Sequence, residues 1–279
     1  MWLSSQVVLG VIKKILFNGG LLPYLVSMPE INDDMSIHVN SPLIPINPSS
    51  PPKIFSLVNG SPISERVIYR DRVDAGLRLA EGLRDCLGPG SVVYGIARGG
   101  VVVAGVVARR LGCALDVIVV KKIGAPFNPE LAAAAVTEFG DVAVEDEVVA
   151  FYGISQEEIL KRASEQVPVL RKRAESYRGG RGFIDAAGKA VAIIDDGLAT
   201  GTTMVAAVQS IKKMKPSRLI ASAPVASTTA ASKLRPLVDE VVCPYVEEEF
   251  YAVGEFYDNF AQVTDEEVIR YLRGDANSR

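Results

Sequence analysis

The 279-residue chain has a single histidine, His38, and three cysteines, Cys86, Cys113 and Cys243. One histidine excludes zinc clusters that need several imidazoles, and it argues against Ser-His-Asp or Cys-His machinery. Three scattered cysteines without a C-x-x-C pair make neither a disulfide framework nor a redox motif; they point to a reduced, cytoplasmic chain in which cysteine packs as a small apolar residue. Charge of one sign is lacking too: 30 basic residues stand against 33 acidic ones, for a net charge of −3. That leaves no electrostatic footprint for DNA or for an anionic membrane. Long apolar runs are also missing. Residues 7–12 stop at Lys13-Lys14, and 15–26 are broken by Asn18-Gly19-Gly20 and Pro23, far short of the ~20 residues a membrane span needs. The lysine pair follows the first apolar run, the wrong order for a secretory leader.

The first 62 residues form a region of their own. They hold 6 charged residues and 8 of the 16 prolines. Helices cannot run through such a stretch, and we read it as an extended or poorly ordered segment. Met28 and Met35 offer alternative starts within it. From residue 63 onward we expect one domain, with a core over about 90–246, a helical insertion over about 145–182, and a small hood from about 63–89 and 247–279.

From Arg66 the text alternates between helical and strand patterns. A helix is expected over 66–87, with Val73, Leu77, Ala80, Leu83 and Leu87 on its apolar face. A buried strand over 91–97 follows, then a turn at Arg98-Gly99-Gly100 and a small-residue helix over 101–112. The next strand, 115–120, runs straight into Lys121-Lys122. Residues 131–144 stay ambiguous between helix and strand. A polar helix over 155–178 opens with Ser155 and Glu158 at capping-box spacing and carries Pro168 inside. Strands over 190–196, 218–225 and 240–246 alternate with helices, and Thr264 with Glu267 caps a last helix ending near 273. Apolar strands interleaved with helices argue for an α/β fold with an open parallel sheet covered on both faces.

The chemistry concentrates in VAIIDDGLATGTTM, residues 191–204. An apolar strand ends in two carboxylates, Asp195 and Asp196; a loop of small and hydroxyl residues follows and opens a helix. In an open parallel sheet, ligands bind beyond the C-terminal strand ends. The run Gly197, Leu198, Ala199, Thr200, Gly201, Thr202 and Thr203 therefore presents backbone N–H groups, a helix dipole and hydroxyls to an anion. The two acids stand next to that anion, placed to accept hydrogen bonds from neighbouring sugar hydroxyls or to hold a metal. A Walker B strand would need a G-x-x-x-x-G-K-[ST] run, which is absent, and Gly95-Ile-Ala-Arg-Gly99-Gly100 has the wrong spacing for a dinucleotide fingerprint.

The segment resembles the phosphoribosyl diphosphate (PRPP) motif of type I phosphoribosyltransferases, matching at Asp195, Asp196, Thr200, Gly201 and Thr203. The likeness runs from about Arg66 to Leu272, in particular to a largely uncharacterised group with a helical insertion. It implies a Rossmann-like core and a reaction in which Mg²⁺-bound PRPP loses pyrophosphate to a nitrogen acceptor, with the 5′-phosphate on residues 197–203. It further implies that Arg98, Gly99 and Gly100 receive pyrophosphate, that Lys121 and Lys122 supply charge, and that a mobile loop starts near Gly124. Elementary chemistry agrees with that placement: pyrophosphate needs concentrated positive charge, and these residues follow adjacent strands. For the acceptor the resemblance is divided. Ala199 stands where hypoxanthine-guanine types carry an Asp, as in adenine types. Yet Tyr251 and Asp258 fall in a run similar to the hypoxanthine-guanine C-terminal segment, which implies a base-stacking Tyr251 and a metal-side Asp258; the alternative is that these aromatics are core. A purine-like nucleobase is the favoured acceptor, with Glu130 and Glu138 as candidates for proton transfer, and relatives suggest a homodimer. The competing reading is a PRPP- or nucleotide-sensing regulator of the same fold. For such a protein the basic residues between Lys161 and Arg181 would offer an RNA-binding face. Interior, salt-bridged acids beside a closed helix tip would defeat both readings.

Overall fold

The computed structural model describes residues 67–126 and 128–275, with the backbone alone for Pro129 and Glu130. The N-terminal region read as extended lies outside the described residues, as does the side chain of Glu130. In chain order the elements are α1 (Arg72–Leu83), β1 (Val92–Ile96), α2 (Gly99–Leu111), β2 (Ala114–Ile118), β3 (Val120–Ala125), β4 (Asn128–Thr137) and β5 (Val142–Val144). They continue with α3 (Asp146–Tyr152), α4 (Gln156–Arg178), β6 (Ala190–Ile194), α5 (Thr202–Lys212), β7 (Arg218–Ser222) and β8 (Val225–Ser227). The last are α6 (Thr228–Leu234), β9 (Glu240–Val242), β10 (Tyr245–Glu247), a 3₁₀ turn (Val253–Phe256) and α7 (Asp265–Arg273). Among the described residues no helix is long and apolar enough to cross a membrane.

Five strands form a parallel sheet in the order β2-β1-β6-β7-β9. Side chains of successive strand residues point to opposite faces. Val92, Tyr94, Val191, Ile193 and Leu219 accordingly pack with Met204, Val208 and Ile211 of α5. Val93, Ala192, Ile194 and Ile220 pack on the other face with α1 and α2. Near-continuous apolar strands are what burial on both faces requires. Strand order reverses between β1 and β6, so the loops leaving these two strands open side by side, the usual place for a ligand in such a sheet.

The face of α1 differs from the periodicity reading. Ala80, Leu83 and Leu87 are buried, but Val73 is 40% exposed and Leu77 45% exposed, while Ala75, Gly76 and Leu79 are buried. The reason is close helix packing. A Cβ on Gly76 would meet Val106 Cβ at 2.7 Å, so α1 meets α2 through its small residues and not its larger ones. With Leu79 and Leu83 against the sheet, α1 forms part of the core wall, although it falls within the range assigned to the hood. The start of the helix and Tyr69 before it reach a second cluster: Tyr69 pairs with Tyr257, and both join Ala75, Val225 and Phe256 there.

The ambiguous stretch 131–144 is strand. β3, β4 and β5 make an antiparallel flag, and α4 lies across it through Ile159, Ala163, Leu170, Ala174 and Tyr177. The end of α4 is clasped by charge. Arg178 donates to Asp116 Oδ1 at 3.1 Å, to Glu138 Oε2 at 2.7 Å and to the Val117 carbonyl at 2.7 Å. All three charged side chains are buried. Glu138, a candidate for proton transfer, is thus a structural ion-pair partner, also accepting from the Val119 N–H. Ser155 caps α4 by accepting from the Glu158 N–H, and Thr264 with Glu267 makes a complete capping box on α7.

Candidate functional site

β6 ends at Ile194, and the chain places Asp195 and Asp196 beyond the C-terminal end of this central strand before wrapping into the tip of α5. The wrap is held from outside. Leu198 N–H donates to the Val225 carbonyl at 2.9 Å, Ser227 N–H donates to the Leu198 carbonyl at 2.8 Å, and Ser227 Oγ–H donates to the Ala199 carbonyl at 2.6 Å. Gly201, in the left-handed conformation at φ 79°, precedes the helix and brings no side chain to cap its first turn. The helix tip is therefore left to bind an anion.

Opposite lies the turn from β1 into α2, whose Ala97–Arg98 peptide is cis. Two glycines let this turn close onto the acids. A Cβ on Gly99 would fall 1.8 Å from Asp196 Oδ2, and one on Gly100 would fall 2.6 Å from the Ile194 carbonyl oxygen. Between the two turns opens a cleft of about 380 Å³. Asp195, Asp196, Gly197, Leu198, Ala199, Thr200, Gly201 and Thr203 line one side; Arg98, Gly99 and Lys122 line the other.

The acids are electrostatically unequal. Burial pushes the Asp195 carboxyl well above the usual range, and the neighbouring Asp196 charge pushes it further. The Asp196 N–H, which donates to Asp195 Oδ1 at 2.9 Å, and the Lys122 charge act in the opposite direction. Asp196 pairs with Arg72, whose Nε donates to Oδ2 at 2.7 Å. Its backbone carbonyl accepts from the Tyr257 hydroxyl at 2.6 Å. One acid is salt-bridged, then, but both face the cleft and the helix tip beside them is open.

This strand, loop and helix tip fall inside the stretch, residues 78–259, that matches the family profile of the phosphoribosyl transferase domain. The chain belongs to the phosphoribosyl transferase family. Proteins from two strains of Mycobacterium tuberculosis, provisionally named phosphoribosyl transferases, are 38% identical over 205 residues, covering 74% of this chain. The chain spans about half their length, 46%. The crystal structure of TT1426 from Thermus thermophilus is 43% identical, with a TM-score of 0.63, and the match covers 76% of this chain and all of that one. The α/β fold with its open parallel sheet, expected from the alternation of strands and helices and implied by the type I resemblance, is the fold this chain has.

Some of the anticipated site residues stay away from the cleft. Gly100 lies beneath the acids. Thr202 is buried, its hydroxyl bonded to Glu145 and Thr200. Lys121 and Lys122 sit within β3 and not beyond β2; strand alternation gives only Lys122 to the cleft. Tyr251 is 73% exposed and lines no part of the cleft, and Asp258 is exposed, with its backbone N–H donating to the Tyr69 carbonyl. The 3₁₀ turn re-aims the chain, so Val253 and Phe260 line the cleft where Tyr251 was expected. Sequence reading missed Arg72, which meets Asp196 across 124 positions; no local pattern carries that signal.

Among the described residues no group of three or more acids, cysteines or histidines converges as a metal cage. Two carboxylates beside an anion cradle nevertheless fit Mg²⁺, which keeps most of its water and is commonly held by one or two carboxylates together with substrate phosphates.

Proposed function

We propose that the protein transfers the 5-phosphoribosyl group of PRPP to a nitrogen acceptor and releases pyrophosphate. The observation that carries this reading is the sharing of one cleft by an acid pair and an uncapped helix tip. The 5′-phosphate sits on the backbone of residues 197–203, and the hydroxyls of Thr200 and Thr203 add donors. Asp195 and Asp196 accept from the ribose hydroxyls and favour the positive charge that develops on the sugar. Arg98 and Lys122 receive the pyrophosphate. The bond from ribose C1 to the pyrophosphate oxygen breaks, with its electron pair leaving on pyrophosphate. The acceptor nitrogen bonds to C1 and yields its proton to solvent. Positioning and charge neutralisation are the main contributions of the protein.

Charge balance supports a metal requirement. Arg72, Arg98 and Lys122 face the cleft against Asp195 and Asp196, whereas PRPP carries on the order of four to five negative charges. Bound Mg²⁺ would neutralise the leaving pyrophosphate, with Asp195 and Asp196 as the carboxylates to hold it. The acceptor occupies the space beside Val253 and Phe260. The preference for a purine drew on Ala199 as well as on the Tyr251–Asp258 run; with Tyr251 and Asp258 outside the cleft, a nucleobase is retained as one acceptor class among several. The clustering of residues 68–69 with 253–260 supports a hood made from both ends of the domain. A homodimer is what the resemblance implies and a cytoplasmic location what the cysteine usage suggests; light scattering tests the first and localisation of a tagged chain the second.

The RNA-binding form of the regulator reading loses support, while a sensor of PRPP alone is untouched. Arg162 bonds Glu158 and the Gly124 carbonyl, Arg171 the Glu138 carbonyl, and Arg178 and Arg181 approach Asp116. Internal contacts thereby occupy much of the basic face. The test is pyrophosphate release from PRPP with and without Mg²⁺ across a panel of nitrogen acceptors. Release that depends on one acceptor and on Mg²⁺ is expected. PRPP binding without release for any acceptor would favour the sensor, and absence of binding would remove both readings.

A further inference from the structure

Arg72 lies within the first turn of α1, outside the motif, yet its side chain is only 11% exposed and lines the cleft. It is held on three sides. Nε donates to Asp196 Oδ2 at 2.7 Å, Nη1 donates to the Ala261 carbonyl at 2.7 Å, and the guanidinium lies 3.9 Å from the centroid of the Phe260 ring. Nη2 has no hydrogen-bond partner among the described residues. A guanidinium fixed by a ring, a carboxylate and a carbonyl loses little freedom on taking one more acceptor, and its fork matches carboxylate or phosphate oxygens. The same geometry closes another option. Phe260 lines the cleft, but its ring is covered by Arg72, so an aromatic ligand does not reach that face without displacing the cation.

We propose that Arg72 is a ligand-binding residue of this cleft that takes an anionic oxygen on Nη2 while Nε keeps Asp196 aimed at the ribose. The assignment rests on the transfer reading for its setting, although the recognition itself is simply that of an oxyanion. That oxygen belongs either to the pyrophosphate of PRPP or to a carboxylate or acidic carbonyl of the acceptor. In both cases specificity in this part of the cleft is electrostatic and hydrogen-bonded, not a matter of base stacking.

The test uses the whole chain. The Nε–H resonance of Arg72, identified by its loss in Arg72→Lys, is followed by NMR during titration with inorganic pyrophosphate, with Mg²⁺–PRPP, and with acidic acceptors and their neutral analogues. A shift with pyrophosphate and PRPP assigns the oxygen to the leaving group, and a shift only with acidic acceptors assigns it to the acceptor. A resonance that stays fixed while PRPP and an acceptor saturate the protein overturns the proposal. In parallel, Arg72→Gln is expected to weaken pyrophosphate affinity at least tenfold, or to raise KM for acidic acceptors at least tenfold more than for neutral ones. A well-folded Arg72→Gln within twofold of wild type on both measures leaves Arg72 a structural clamp and overturns the proposal. Should that variant fail to fold, the wild-type titration decides alone. A shift with pyrophosphate in a protein that does not bind PRPP sinks the transfer reading and keeps the Arg72 assignment; PRPP turnover with an unmoved resonance does the reverse.

Discussion

Residues 191–204 and residues 247–261 both contribute to the cleft, and they do so in different ways. In the first stretch the residues that line the cleft are neighbours in the chain: a strand end, two acids, a loop and a helix tip. Their geometry is set within a few residues and by the adjoining strand β8. In the second stretch, the residues that reach the cleft are chosen by the 3₁₀ turn at Val253–Phe256 and by backbone bonds from Asp258 and Asn259 to Tyr69 and Arg70. A contiguous motif keeps its meaning through folding. A motif whose aim depends on distant pairing does not, and Tyr251 and Asp258 end up outside while Phe260 turns in.

The largest effect should come from the contiguous region. Asp195→Asn with Asp196→Asn is expected to lower PRPP affinity more than a hundredfold by calorimetry; retained binding would show that the acids do not grip the sugar. A control separates loss of the site from loss of the fold. Removing Arg178 strands two buried carboxylates, and Arg178→Ala should cost about 3–5 kcal/mol in urea unfolding; near-normal stability would mean water reaches that cluster. Next comes Gly99→Ala, which drives a methyl group into Asp196 Oδ2. A fall of roughly tenfold in PRPP affinity is expected on the scale of a misplaced catalytic group, and no change would mean that the turn relaxes freely.

The C-terminal stretch yields the smaller effects that sharpen the contrast. Phe260→Ala should raise the acceptor KM several-fold, whereas Tyr251→Ala should leave it within twofold; the reverse order would restore the stacking role to Tyr251. The smallest effect concerns pH. Asp195 has a raised pKa in the folded protein, so the folded chain binds more protons than the unfolded one above about pH 4, and stability declines as pH rises through the folded value. Asp195→Asn removes that decline. In chelated, ligand-free protein the variant should match wild type at low pH and exceed it increasingly toward neutrality; parallel stability curves would contradict the burial of this carboxyl.

What could be read from the sequence follows the same division. The strands of the sheet, the α5 tip and the capped helices α4 and α7 were legible because their signals are local: apolar runs, a Gly-Thr loop, and Ser155 and Thr264 at their caps. The β3–β5 flag was not, because Ala132–Ala135 has no alternation to tell strand from helix. The inner face of α1 was misread because Gly76, featureless in a hydrophobic pattern, sets the approach of α2. Glu138 looked chemically available until Arg178, 40 positions on, was found to hold it. Arg72 lay beyond reach for the same reason at greater distance.

The antiparallel flag has a mechanical consequence. Its first strand carries Lys122, and the residue after its last strand, Glu145, bonds Thr202 and Lys233. One small sheet thereby reaches the cleft wall through an amine and the first residue of α5 through a carboxylate. Cross-strand ladders resist shear, so a pull on the amine is delivered to the helix tip. Under the proposed transfer, departure of the diphosphate from Lys122 and loosening of the grip on the remaining sugar phosphate would be linked displacements of a single lever.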